Sequence, residues 1–307
     1  MFSPMDVEVG LVVQTNPKVA PTSGNLLMLD YIPGTMMTVT SAQIESQTLK
    51  PNRASGGMRR GLKEVTGSFK MRLHRDEAVS LIFASILGNA WGEAGETGEG
   101  GDTLVPGKKK VAFMIVQTLT DDEGNVVRDE FLGCEVTKID FSAENSTGID
   151  LTVTFVGIDA KTDLVGASSL NRVESSDELE LIGDDLKNMT VADVSVSDWT
   201  KLDFSIEQAR DAKPIIGSNV AVGTAASAPR KITGAVSFYR PSGVAPGFTG
   251  AGQGLSFDLL DAYHIDVKSA FFVEPQHAYG SSAVESTASF SAGYNKVAAT
   301  DIVITRP

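Results

Sequence analysis

Three histidines, His74, His264 and His277, and one cysteine, Cys134, are the residues here best suited to metal binding or nucleophilic attack. No two histidines have the His-x-x-x-His spacing that puts both imidazoles on one helical face, and a lone thiol cannot complete a zinc set with them. Cys134 lies in the strand-like run Phe131-Leu132-Gly133-Cys134-Glu135-Val136, the setting of a buried structural thiol. Asp121-Asp122-Glu123-Gly124-Asn125 gathers carboxylates but lacks the loop length and terminal Glu of a calcium site, so it reads as a turn. The glycines of 92–101, and Gly250, Gly252 and Gly254, have no Gly-Lys-Ser/Thr ending and cradle no phosphate. A Gly-x-Ser-x-Gly elbow is absent. Trp91 and Trp199 stand alone and read as core or interface residues rather than a platform for single-stranded DNA. The expectation is a protein that is not an enzyme and that takes no cofactor or metal.

One stretch is chemically unusual. Residues 50–63 hold Lys50, Arg53, Arg59, Arg60 and Lys63 with no acidic residue, in a chain of net charge −13. Pro51 and Gly56-Gly57 break it into a loop. It is open to three readings: a solvated hairpin, a contact with an acidic face of another subunit, or direct DNA contact. The acidic chain as a whole repels phosphate, which disfavours sequence-reading of DNA.

The elements that position this loop are strands. Thirty Gly, twelve Pro and many Val, Thr and Ser favour strands and turns. Met36 to Leu49 alternates as a strand, and Glu64-Val65-Thr66-Gly67-Ser68-Phe69-Lys70-Met71-Arg72 follows the loop. A second run, Lys231-Ile232-Thr233-Gly234-Ala235-Val236-Ser237-Phe238-Tyr239-Arg240, echoes it: β-branched residue, Thr-Gly, small residue, apolar/polar strand, Arg. After the first run, Val79, Ile82, Phe83 and Ile86 fall at helical spacing between Asp76-Glu77 and Gly88. After the second, Leu255 to Ala262 reads as the equivalent short helix. Further strands are expected at 108–119, 126–131, 135–143, 149–156, 190–197, 201–207, 266–273, 286–292 and 300–305. The fold class is mainly β: two tandem β-sandwich domains, each flanked by one short α-helix. The expected boundaries are an N-terminal arm at 1–34 lying on a neighbour, a first domain at 35–160, an acidic connection at 161–188 and a second domain at 189–307.

At 307 residues, 42% hydrophobic and 21% charged, the chain has globular composition and room for two domains. One cysteine permits no intrachain disulfide, which fits assembly in a reducing cytoplasm. Met1 to Asp6 shows no signal-peptide pattern, and no apolar run suggests a membrane anchor.

The order strand, long loop, (Val/Ile)-Thr-Gly strand, helix and closing strands, taken twice, resembles the major tail tube proteins of long-tailed, siphovirus-like bacteriophages. The matching stretches are Glu64 to Arg72 followed by the helix to Gly88, and Phe131-Leu132-Gly133-Cys134 through Val153-Thr154-Phe155-Val156-Gly157, with a looser second copy around Thr190 to Arg240 and Asp301 to Arg306. The resemblance implies a structural virion protein whose β-sandwich domains join those of neighbours into rings. The rings stack into a tube that delivers genome DNA without binding it specifically. It also implies a virion tail assembled in the host cytoplasm, contacts with other tail proteins at the tube ends, and a flexible, non-contractile tail. Two domains per chain point to a homotrimer with pseudo-sixfold symmetry, a homohexamer being the alternative. On this reading Lys50, Arg53, Arg59, Arg60 and Lys63 contact the next ring. The competing reading is a β-sandwich adhesion or decoration module that does not polymerise.

Overall fold

The computed structural model describes residues 2–46, 57–92, 102–175, 180–239, 247–279 and 284–306. Up to residue 175 the strands are β1 (Phe2–Gln14), β2 (Asn25–Met28), β3 (Tyr31–Ile32), β4 (Thr38–Glu45), β5 (Met58–Arg72), β6 (Asp102–Leu104), β7 (Ala112–Asp121), β8 (Val126–Glu144), β9 (Asp150–Gly157), β10 (Asp159–Val165) and β11 (Asn171–Val173). Beyond it come β12 (Leu186–Val191), β13 (Val194–Ser195), β14 (Trp199–Glu207), β15 (Arg210–Lys213), β16 (Gly223–Ala226), β17 (Lys231–Tyr239), β18 (Gln253–Leu259), β19 (Tyr263–Phe272), β20 (Gln276–Tyr279), β21 (Val284–Ala292) and β22 (Ile302–Arg306). The helix α1 is Glu77–Leu87.

A long sheet runs through the molecule in the order β4-β5-β9-β8-β14-β17-β21-β20. A first short sheet orders β11-β2-β1-β7-β8-β10, and a second orders β13-β12-β18-β19-β22-β6. β8 belongs to two sheets because it bends at Gly133, whose φ is +60°. A Cβ there would lie 2.6 Å from the Ile158 side chain, so only glycine fits the corner. Alternation builds the core: Phe69, Val153, Phe155, Ile139, Phe141, Phe204 and Ile206 point inward from the long sheet and are buried. Their neighbours Lys70, Thr152, Thr154, Lys138, Asp140, Ser142, Asp203 and Ser205 line its opposite, polar face.

The helix forms where the sequence places it. The Asp76 Oδ1 accepts from the Ala78 N–H at 3.2 Å, and Gly88 closes the helix in the left-handed region at φ 64°. Val79, Ile82, Phe83 and Ile86 are buried. The repeated Thr-Gly also has a structural reason. A Cβ on Gly67 would lie 2.5 Å from the Met36 carbonyl oxygen, and one on Gly234 would overlap the Asp203 carbonyl oxygen. At both places adjacent backbone, the approach to β4 at Met36 and β14 at Asp203, passes too close for a side chain.

Several expectations are corrected. Leu255 to Ala262 is no helix: Leu255, Phe257 and Leu259 are buried at every second position of β18, so period two wins over an apparent helical spacing. Among the described residues the chain has one α-helix, α1, and a single 3-10 turn at Gly183–Asp185. Residues 1–34 do not form an outlying arm, because β1 pairs along β7 and buries Val9 and Leu11. The stretch 161–188 contains most of β10, all of β11 and the start of β12 rather than a bare connection. The 126–131 and 135–143 strands are one, β8.

Candidate assembly interface

Both margins of the long sheet are open. Among the described residues β4 pairs only with β5, and β20 only with β21. Every residue of β20 is exposed. Such a row of unpaired N–H and C=O groups is a template for pairing with another chain.

Midway along the sheet the two halves of the chain are joined strand to strand. β8 and β14 pair antiparallel from Lys201 opposite Glu144 to Glu207 opposite Lys138. The Phe141 and Phe204 rings stack across this seam at 5.2 Å, and Lys201 Nζ lies 2.9 Å from Glu144 Oε1. Past the end of β14 the chain folds back over the first half. Gln208 N–H donates to the Thr137 carbonyl at 2.8 Å, and Lys63 N–H to that of Asn219 at 2.8 Å. The β15–β16 hairpin brings Arg210 and Thr224 onto Glu135, where Arg210 Nη1 donates to Glu135 Oε2 at 2.6 Å. Thr224 Oγ1 donates to the other carboxylate oxygen, and Lys110 Nζ to the Thr224 carbonyl. One signal of this lock is visible in the sequence, a glutamate inside the apolar run Phe131 to Val136.

The five basic candidates separate. Lys50 and Arg53 lie outside the described residues. Arg59 and Arg60 are exposed on the β4–β5 hairpin, opposite Ile44 and Gln43. Lys63 is engaged within the chain: its Nζ lies 2.5 Å from Asp159 Oδ1 and donates to the Ala160 carbonyl at 3.0 Å.

The polar face of the long sheet carries Lys70, Arg72, Lys138 and Lys201, each held by a carboxylate. Lys70 and Arg72 both lie 2.5 Å from Asp150, and Lys138 lies 2.8 Å from Asp140. Asp140, Ser142, Glu144, Asp150, Asp203 and Ser205 line a shallow concavity across the seam. That surface is polar, and these four cations are neutralised in place.

A sheet with two open margins and a polar concave face is suited to polymerising with its own kind. The phage tail tube protein family matches the chain over residues 6–292. The chain belongs to that family. No curated protein matches it. A tail tube protein is a structural component of the virion tail that assembles with itself and with other tail proteins, and this places the open margins in context. No helix among the described residues is long and apolar enough to cross a membrane.

The histidine environments show no comparable purpose. His74 is 1% exposed, with Nε2 3.4 Å from Asp76 Oδ2 and 3.5 Å from Asp30 Oδ2. Asp76 raises its pKa above the ordinary value, burial opposes this, and Asp30 adds to the rise. The arrangement anchors the start of α1 to the β2–β3 connection. Burial pushes the Cys134 thiol far above its ordinary range, which removes it as a nucleophile.

Proposed function

We propose that the chain is one tube unit built twice, and that three copies close a ring whose stack forms the conduit for genome DNA. The observation that carries this reading is the parallel between the two sets of strand pairings. β4-β5-β9-β8 stands to β14-β17-β21-β20 as first copy to second, with Gly67 opposite Phe155 and Gly234 opposite Phe290. β2-β1-β7-β8-β10 likewise parallels β13-β12-β18-β19-β22. The units differ from the boundaries expected of the sequence in that β1 to β3, β10 and β11 belong with the first unit and the start of β12 with the second.

Three copies of the long sheet supply about twenty-four strands, above the roughly sixteen at which a closed barrel keeps an aqueous channel. Closure would also remove the open margins. The polar face of the long sheet faces the lumen, since its other face is committed to the core. Neutralised cations on that face give DNA phosphates little to hold, so duplex slides past. Of the two exposed arginines, Arg60 contacts the acidic face of the next ring and Arg59 faces the neighbour within the ring. Assembly takes place in the host cytoplasm, and the product is the virion tail.

Negative-stain microscopy of the purified chain, with mass measurement of its smallest ring, tests the reading. Hollow tubes built from three-copy rings are the expected result. Discrete monomers or trimers that never stack would overturn it and favour an adhesion or decoration module.

A further inference from the structure

Resting on that reading, we infer that the β8–β14 seam is the template for the contact between copies, and that it fixes both register and chemistry. The Thr-Gly pairs supply the alignment. Thr38 lies opposite Thr66 as Ser205 lies opposite Thr233. On the other margin, Lys70 opposes Thr152, which opposes Asp140; Ser237 opposes Thr287, which opposes Gln276. Lys70 and Ser237 stand at the same distance after their glycines. Thr38 therefore corresponds to Ser205, and Gln276 to Asp140. Asp140 opposes Ser205 within the chain, so Gln276 of one copy opposes Thr38 of the next.

The same alignment assigns a pair of exposed apolar side chains. Glu135 opposes Val156, and Phe271 opposes Ser291, the corresponding residue. Phe271 thus holds the place of Glu135. Arg210 opposes Ala226, and Ile44 opposes Arg59; Ala226 and Arg59 stand at the same distance before Gly234 and Gly67. Ile44 thus holds the place of Arg210. Inside the chain this position is an ion pair buried by the hairpin. Between copies it is an apolar pair, Ile44 and Phe271, which the single subunit leaves 60% and 44% exposed. The β4–β5 hairpin of each copy lies across the second half of its neighbour in the same ring, as the β15–β16 hairpin lies across the first half of its own chain. The difference in chemistry keeps the two seams from exchanging partners, because an ion-pair half set against an apolar half leaves a charge buried alone. Pro275, at the place of Ile139, offers no N–H, as suits a strand margin that waits exposed before assembly.

The test is a Thr38→Cys, Gln276→Cys double variant, oxidised after assembly and run on a denaturing, non-reducing gel. Directly opposed strand residues fall within disulfide reach. The expected result is covalent dimers and trimers with nothing larger, while each single variant stays monomeric. Tubes that form without cross-links, or a ladder that climbs past three, would overturn the register. A second pair of variants needs no disulfide. Ile44→Glu and Phe271→Lys should each cut ring yield about tenfold, and together restore it. Failure of the pair to restore rings, with both subunits folded by circular dichroism, counts against the contact. If the unsubstituted chain forms no rings at all, the tube reading fails first; if it forms tubes while both experiments fail, only this contact does.

Discussion

Arg210 and Glu135 meet at 2.6 Å with side chains 8% and 3% exposed, joining strands 75 residues apart in sequence. The pair fastens the β15–β16 hairpin to β8 and so holds one half of the chain on the other. Removing one partner leaves the other charge buried without compensation, which costs about 3–5 kcal/mol. Glu135→Gln or Arg210→Met should therefore lower the urea midpoint strongly. The double variant Glu135→Leu, Arg210→Met should be less destabilised than the single variants combined, and equilibrium unfolding of all three checks this.

The two Thr-Gly glycines should tolerate no methyl group. Gly67→Ala meets the Met36 carbonyl, just before β4, and Gly234→Ala that of Asp203 in β14; both are backbone atoms rather than flexible side-chain ends. Overpacking of this kind costs about 1–3 kcal/mol. Thermal melts should show both variants lowered, whereas Gly124→Ala, where nothing lies within 4 Å, keeps only the strain of its φ of +81°.

The buried His74 gives stability a pH dependence of definite sign. Its folded pKa is raised above 6.5, so its contribution is complete below that value and is lost as pH rises through the folded pKa. For Asp76, burial pushes upward, but His74 and the Ala78 N–H outweigh it and hold the pKa below 3.8. That contribution is complete above 3.8 and is lost as pH falls. Urea midpoints of the native chain and His74→Gln should differ more at about pH 5.5 than at about pH 8.5. An unchanged difference would show that His74 stays neutral in the fold.

Tyr263 should report the packing of α1 against β19. Its hydroxyl lies 2.9 Å from Ser80 Oγ, and its ring stands edge-on to Phe83 at 5.2 Å. Burial pushes its pKa up to about 12. Ultraviolet titration should find one tyrosine ionising late, and Tyr263→Phe should remove that phase at a cost of about 1 kcal/mol.

Local patterns carried much of this fold. Asp76, the Val79–Ile86 stripe and Gly88 each act within one helix, so their spacing predicts α1. Leu255 and Leu259 fit both periods, and only the burial of Phe257 between them decides for a strand. The β8–β14 seam left no local mark, because pairing between distant strands depends on which margins meet, and Lys138 to Glu144 would read the same on an open margin. Nothing in the sequence around Arg210 points to Glu135, 75 residues away, and the pair is found only in space. Lys63 shows the reverse: composition grouped it with the basic loop, and geometry gives it to Asp159.

The remaining basic residues carry the last prediction. Arg59 and Arg60 project from adjacent positions of β5 and so face opposite sides of the hairpin. Arg59 shares its side with Ile44, which in the proposed ring is directed at the neighbouring copy; Arg60 shares its side with Gln43 and on that proposal is free for the ring above. Exposed charge pairs weaken as the screening length falls from about 10 Å at 0.1 M salt to about 3 Å at 1 M. Tubes of the native chain should therefore shorten as salt is added. Arg60→Gln should give short tubes at low salt and little further response, with Arg59→Gln closer to native. Lys63→Gln should instead lower the stability of the subunit and leave the salt dependence of tube length in place. Tube lengths measured by microscopy across a salt series decide between these outcomes. Native lengths and native salt response in Arg60→Gln would remove this hairpin from the contact between rings.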